Sequence, residues 1–228
     1  MFDGCNTTIE INFTNFDAKK CSELDEMFLD CHSLISLDLS GFITSDSLSI
    51  MANMFWGCHS LISINLSFFD TSNVSNFGHL FYESQSLKWV DLSKLKTNNA
   101  QFMDNMFNGC KRLISLNLSN FVTSKMENME NMFNGCESLK IIDFSNLDVN
   151  SVVDPNKLKN AFLNCKELEY INIKNLQPRS KLTTDFFNGV PKNLILCIQD
   201  DKINLTKDTI NDNNNFMLIN CNNNLSYN

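Results

Sequence analysis

Apolar and polar positions recur along this chain in a fixed order. A Cys at 5, 31, 58, 110, 136 and 165, with Ser84 in the one gap, is followed by apolar residues six, eight and eleven places later and, in every copy after the first, three places later. In the copy that starts at Cys110 these are Leu113, Leu116, Leu118 and Phe121. Elsewhere they read Leu34, Leu37, Leu39 and Phe42; Leu61, Ile64, Leu66 and Phe69; and Leu139, Ile142, Phe144 and Leu147. The anchors stand 26, 27, 26, 26, 26 and 29 residues apart. A steady period of this size marks a solenoid in which each repeat packs only on its neighbours. The alternation through the sixth and eighth places has period two and predicts a short strand with one buried face. Ahead of the next anchor the period changes: Met51, Met54, Phe55 recur as Phe77, Leu80, Phe81, then Met103, Met106, Phe107, then Met129, Met132, Phe133. Spacings of three and four predict one face of a short helix. Each repeat is therefore expected to run strand, turn, short helix, turn, with parallel strands regained after each crossover.

Leu34-x-x-Leu37-x-Leu39 resembles a leucine-rich repeat. The longer pattern Met-Phe-x-Gly-Cys-x-Ser-Leu-x-x-Leu-Asp/Asn-Leu-Ser-x-Phe-x-Thr-Ser is best kept from Met54 to Ser72 and from Met106 to Ser124. It is similar to the BspA-like family, the bacterial surface protein 26-residue repeat. The resemblance covers residues 1–199. It implies an adhesion or host-protein-binding module on a bacterial or protist surface, with related repeats in some large viruses. The expected fold is an α/β repeat solenoid, a leucine-rich-repeat-like right-handed stack with a parallel sheet on one side and short helices on the other. Residues 1–199 form about seven units, and residues 200–228 a C-terminal cap and Asn-rich tail.

Composition narrows the function. A formal charge of −8 and a pI near 4.8 argue against nucleic acid and against an anionic membrane surface. No apolar run is long enough to insert in a bilayer, and the N-terminus lacks the order of a signal peptide. Most of the 19 Phe fall at repeat-locked places and are expected in the core. Nine Cys invite a disulfide or metal reading, but Cys5, Cys31, Cys58, Cys110, Cys136 and Cys165 form a column. Small buried thiols pack well there, and Ser84 argues for a small side chain and not a bond. Cys197 and Cys221 lie outside the column and could meet in the cap. Met1-Phe2-Asp3-Gly4-Cys5 matches the end of a unit, so the first rung is expected to be uncapped. It would belong to a fragment or a truncated copy, or be covered by another chain in an end-to-end contact.

The outward columns carry the candidate function. Seven places after each anchor stand Asn12, Asp38, Asn65, Asp91, Asn117, Asp143 and Asn172, an alternating ladder that separates like charges on adjacent strands. It reads either as a soluble polar face or as an acidic face for a basic partner. Nine places on, the column is nearly all hydroxyl. Five places on, it runs Glu10, Ser36, Ser63, Trp89, Ser115, Ile141, Tyr170. Trp89, Ile141 and Tyr170 interrupt a polar sheet and are candidate anchors beside Asp91, Asp143 and Asn172. A second patch, Leu29, Trp56 and Tyr82, precedes the turn glycine in three consecutive rungs. His32 and His59 should stack on adjacent rungs, but the pattern fixes no third ligand. No catalytic constellation, metal set or cofactor motif is found. The expected function is a non-catalytic module that binds a protein through its strand face. Surface or secreted placement follows if the chain is a fragment. The alternative is an intracellular viral or protist repeat protein that acts as a host-interaction or scaffold factor.

Overall fold

The computed structural model describes residues 2–176, 182, 184–199 and 217–221. The chain winds into a parallel β-solenoid of about seven turns. Each turn contributes one short strand to the main face: β1 (Glu10–Asn12), then, after β2 (Phe16–Asp17), β3 (Ser36–Asp38). After β4 (Phe42–Ile43) come β5 (Ser63–Asn65), β6 (Trp89–Asp91), β7 (Ser115–Asn117), β8 (Ile141–Asp143) and β9 (Tyr170–Asn172). Two final strands, β10 (Ile195–Ile198) and β11 (Met217–Asn220), complete it. All pairs are parallel and in the register of the sequence repeat, for example Ile141↔Tyr170 and Tyr170↔Ile195. The sixth-place residues point inward: Ile64, Ile142 and Ile171 are buried. The polar stretches 200–216 and 222–228 lie outside the described residues.

Turns stand where the short helices were expected. Among the described residues the helical segments are two 3-10 turns, Pro155–Leu158 and Thr184–Phe187. Where a helix was expected, N–H groups alternate between two partners. Trp56 N–H bonds back to Asn53 C=O at 3.0 Å, whereas Phe55 and Gly57 N–H bond to Leu80 and Tyr82 C=O in the next rung at 2.9 and 2.8 Å. The backbone angles explain why. Asn53, Asn105, Asn131 and Asn160 have φ of 55–58°, and Gly57, Gly109 and Gly135 have φ of 72–79°. Left-handed residues break a right-handed helix, and Asn and Gly adopt them most readily. Two such residues per rung make consecutive turns with the apolar spacing of a helix. The apolar face itself is as expected: Met51, Met54, Phe55, Met103, Met106, Phe107, Met129, Met132 and Phe133 are all buried.

Identical residues stack along the axis. Phe28, Phe55, Phe81, Phe107, Phe133 and Phe162 form a continuous column with ring centroids 5.2–5.8 Å apart and planes within 17° of parallel. Phe2 extends the stack at 5.4 Å from Phe28. These separations exceed the usual ~4.8 Å strand spacing, as offset stacking requires.

Buried polar groups join the rungs. The Cys31, Cys58, Cys110, Cys136 and Cys165 thiols each donate to the carbonyl of a Phe one rung back, at 2.9–3.2 Å. Ser84 Oγ makes the equivalent bond to Phe55 at 2.8 Å. A threonine column performs a second join. Thr97 Oγ1 donates to Val122 C=O at 3.1 Å and accepts Val122 N–H at 2.7 Å. Thr71 and Thr123 repeat this with Lys96 and Asp148. A third line of parallel bridges runs Glu23–Ile50–Asn76–Phe102–Asn128. The 29-residue spacing from Cys136 to Cys165 holds an insert with the 3-10 turn at Pro155–Leu158, capped by Asp154.

Candidate functional site

Strand geometry decides which outward side chains meet. The fifth-place residues of β8, β9, β10 and β11 are direct register partners: Ile141↔Tyr170, Tyr170↔Ile195, Ile195↔Met217. Ile141 and Met217 are 41% and 59% exposed, and Tyr170 and Ile195 are half-buried. The expected anchors Ile141 and Tyr170 are thus brought together, and the stripe extends two strands further. Counting from the Cys anchors missed Ile195 and Met217 because the anchor column ends at Cys165. The continuous apolar run Leu194–Ile198 was the available signal.

Trp89, 54% exposed, stands apart from this stripe. It pairs with Ser63 on β5. Between β6 and β7 the main face is split: the two strands share no ladder, and most Cα–Cα distances between them exceed 8 Å. A cleft of about 350 Å³ opens there, lined by Trp89–Ser93 on one wall and Ser115, Asn117, Ser119 and Asn120 on the other. The Asn120 amide bridges the split, donating to Leu92 and Leu95 C=O at 3.0 and 3.2 Å. The face is also unpaired between β3 and β5. The threonine and bridge columns keep the rungs joined behind both breaks.

The Asn/Asp ladder has a local task. Six of its seven side chains accept the backbone N–H two residues on: Asp38 from Ser40, Asn65 from Ser67, Asp91 from Ser93, Asn117 from Ser119, Asp143 from Ser145, and Asn172 from Lys174, at 2.8–3.1 Å. These Asx turns end the strands and explain the short side chain. Ser93 holds the Asp91 carboxyl below its ordinary pKa through hydrogen bonds from its hydroxyl and its N–H. Asp143 and Asn172 are also joined across rungs at 3.2 Å.

At the turn edge, Trp56 and Tyr82 lie 4.7 Å apart, and the His79 ring stacks on Trp56 at 5.3 Å. His79, which the patch reading omitted, sits 3.6 Å from Asp104. Burial lowers its pKa more than Asp104 raises it. Leu29 occupies the same column one rung back and is half-buried. His32 and His59 stack at 4.4 Å, and His32 Nδ1 lies 2.8 Å from Gly57 C=O. Among the described residues no group of three His, Cys, Asp or Glu gathers around them. Four isoleucines in the column just before the strands were also missed: Ile9, Ile35, Ile62 and Ile114 are all exposed.

The chain belongs to the DUF285 family. That family, described as a Mycoplasma protein of unknown function, matches residues 1–113 and again residues 49–176. Two overlapping matches suit an array whose units are interchangeable. No curated protein matches the chain. The DUF285 repeat in this chain therefore comes with a fold and without an assigned activity. The column thiols bear on one kind of activity. Burial pushes the Cys31 thiol up to about 11 and Cys165 to about 12, and Cys58, Cys110 and Cys136 rise as well. Thiols so held are poor nucleophiles. Cys197 and Cys221 are paired as a disulfide, with Cα atoms 5.7 Å apart.

Proposed function

We propose that this chain is a non-catalytic, BspA-like repeat module that binds a protein partner through its strand face. The observation that carries the reading is the stripe Ile141, Tyr170, Ile195 and Met217, four large side chains in direct register on four neighbouring strands. A contiguous apolar line edged by Asp143 and Asn172 combines anchor residues with a polar rim, the composition of an interaction surface. The Cys197–Cys221 pair favours a surface or secreted setting, where disulfides persist. The intracellular scaffold alternative draws on the unoxidised column thiols. Alkylation of Cys197 and Cys221 in the protein from its native source separates the two settings.

The binding reading is tested by placing a photo-crosslinking phenylalanine analogue at position 170 or, as a control, at exposed position 73. The expected result is a defined partner band from position 170 that is lost when Ile195→Asp is added. Cross-links that arise equally from position 73, or that survive Ile195→Asp, would move the partner off the strand face.

A further inference from the structure

The split between β6 and β7 is a built feature and not a frayed end, because the rungs on either side of it are joined elsewhere. Glu83 N–H bonds to Asn108 C=O at 2.7 Å, and Thr97 is bonded twice to Val122. The opening is confined to the main face. There the bonds seen at other rungs are missing. Leu66 and Leu118 N–H reach the next rung at 3.1 and 2.7 Å, and Lys88 and Lys140 N–H reach the preceding one at 2.9 Å. The equivalent Leu92 and Ile114 N–H groups have no protein acceptor among the described residues. Backbone donors and acceptors left open in a cleft require partners from solvent or ligand.

The side chains add a specific chemistry. Asp91 takes the Ser93 N–H on Oδ1 and the Ser93 hydroxyl as well, and its carboxylate, with about four lone-pair sites, keeps room to accept from a ligand. Asn117 Oδ1 takes both Ser119 N–H and Ser119 Oγ, which leaves its Nδ2 as donor. Ser115 supplies a hydroxyl, and the exposed Trp89 indole supplies a flat apolar wall. The lining includes no lysine or arginine and only one carboxylate. Phosphate therefore lacks a counter-charge, and a multivalent cation finds one carboxylate where calcium takes about six to eight oxygens with several carboxylates. A purely apolar ligand would leave the polar walls unpaired. The complement is a ligand whose groups donate and accept at once, with one apolar flat face. A cleft of about 350 Å³ falls at the small end of ligand sites, ~300–1,000 Å³.

We propose that the β6–β7 cleft is a binding site for a neutral saccharide, with one pyranose ring against the Trp89 indole and its hydroxyls on Asp91, Ser115 and Asn117. The site goes beyond the protein-docking stripe on β8–β11 and does not depend on it, so either reading can fail alone. The test uses the full chain, labelled with nitrogen-15, and follows its two indole N–H resonances, assigned with Trp56→Phe. D-glucose, D-galactose, D-mannose and N-acetyl-D-glucosamine are titrated separately up to about 100 mM, with sorbitol as the open-chain control. At least one of the four sugars should shift Trp89 saturably and leave Trp56 unmoved. Asn117→Ala should weaken that binding by about tenfold or more, as expected for lost polar contacts. Because Asn117→Ala also removes an Asx turn, Ser115→Leu, which fills the mouth of the cleft from an exposed position, serves as a second variant and should abolish the shift. The proposal is overturned if none of the four sugars moves Trp89, if sorbitol moves it equally, or if the shift survives Ser115→Leu. It is also overturned if an alternating Val-Thr hexapeptide perturbs the 89–91 and 115–117 amides where the sugars do not. That result would assign the cleft to strand addition.

Discussion

Ser84 fills a place that cysteine holds in the rungs around it, and its hydroxyl makes the bond that the thiols make. The column therefore selects a small donor facing a Phe carbonyl, a requirement legible in the sequence as size but not as hydrogen bonding. The thiols set an alkaline limit on stability. Burial raises their folded pKa values from the ordinary thiol value of about 8.5 to about 11 for Cys31 and about 12 for Cys165. Between those values the unfolded chain loses protons that the native state retains, so stability is complete below about pH 9 and falls as pH rises. The denaturant midpoint should drop between about pH 9 and 11, and Cys136→Ser should flatten the drop relative to wild type; a parallel curve would show that the thiols are not its source. The adjoining Phe column is tested by Phe107→Ala. Phe107 is fully buried between Phe81 and Phe133, and its loss should cost about 3–5 kcal/mol. Asn108→Ala beside it gives up one side-chain bond to Asn105 and should cost about 1 kcal/mol or less. Equal losses in equilibrium unfolding would mean that the faces are misassigned.

An apolar spacing of three and four belongs to a helix and equally to consecutive turns that close every third residue, so the spacing alone does not separate the two. Asn and Gly at fixed places ahead of each Cys carried the missing information. Asn53, Asn105 and Asn131 recur five places before the anchor, and Gly57, Gly109 and Gly135 one place before it, all with positive φ. The strands were readable because period two and burial of one face coincide in three residues. The turns were not, because their N–H groups bond to the next rung, a partner that no local window contains. This assignment makes an opposite prediction from a helix at one position. Asn131→Gly should be nearly neutral, whereas in a helix interior Gly costs roughly 0.5–1 kcal/mol. Asn131→Val should cost about 1–2 kcal/mol, because a β-branched residue resists the left-handed region. Thr97→Val tests the second join. It removes two bonds to Val122 in a buried place and should cost about 1–3 kcal/mol. Urea midpoints of the three variants decide: a stable Asn131→Val protein would contradict the turn geometry.

At the scale of the whole stack, binding depends on which rungs present the same chemistry side by side. The main face is polar through β1, β3 and β5 and becomes apolar in its fifth-place column from β8 to β11, with Trp89 isolated across the cleft. The sequence pointed to Trp89, Ile141 and Tyr170 as one set. Register unites the last two and adds Ile195 and Met217, whereas the break beside β6 could not be read from a spacing that stays at 26 residues through Ser84, Cys110 and Cys136. A partner on the stripe should therefore respond unequally to substitution of Trp89 and Tyr170. Tyr170→Ala, in the middle of the run, should weaken it by more than about 1 kcal/mol, the level that marks an anchor. Trp89→Ala should do the same only if the partner spans the cleft. The chain carries a formal charge of −8, and Asp91 and Asp143 stand on this face, each accepting an Asx-turn bond. A basic partner drawn to that face should bind less tightly as salt rises, since exposed charges are screened over about 10 Å at 0.1 M. Calorimetric titrations of wild type, Tyr170→Ala and Trp89→Ala at two salt concentrations resolve these terms. If Tyr170→Ala leaves affinity unchanged while Trp56→Ala abolishes it, the docking surface is the aromatic turn edge of Trp56, His79 and Tyr82 and not the strands.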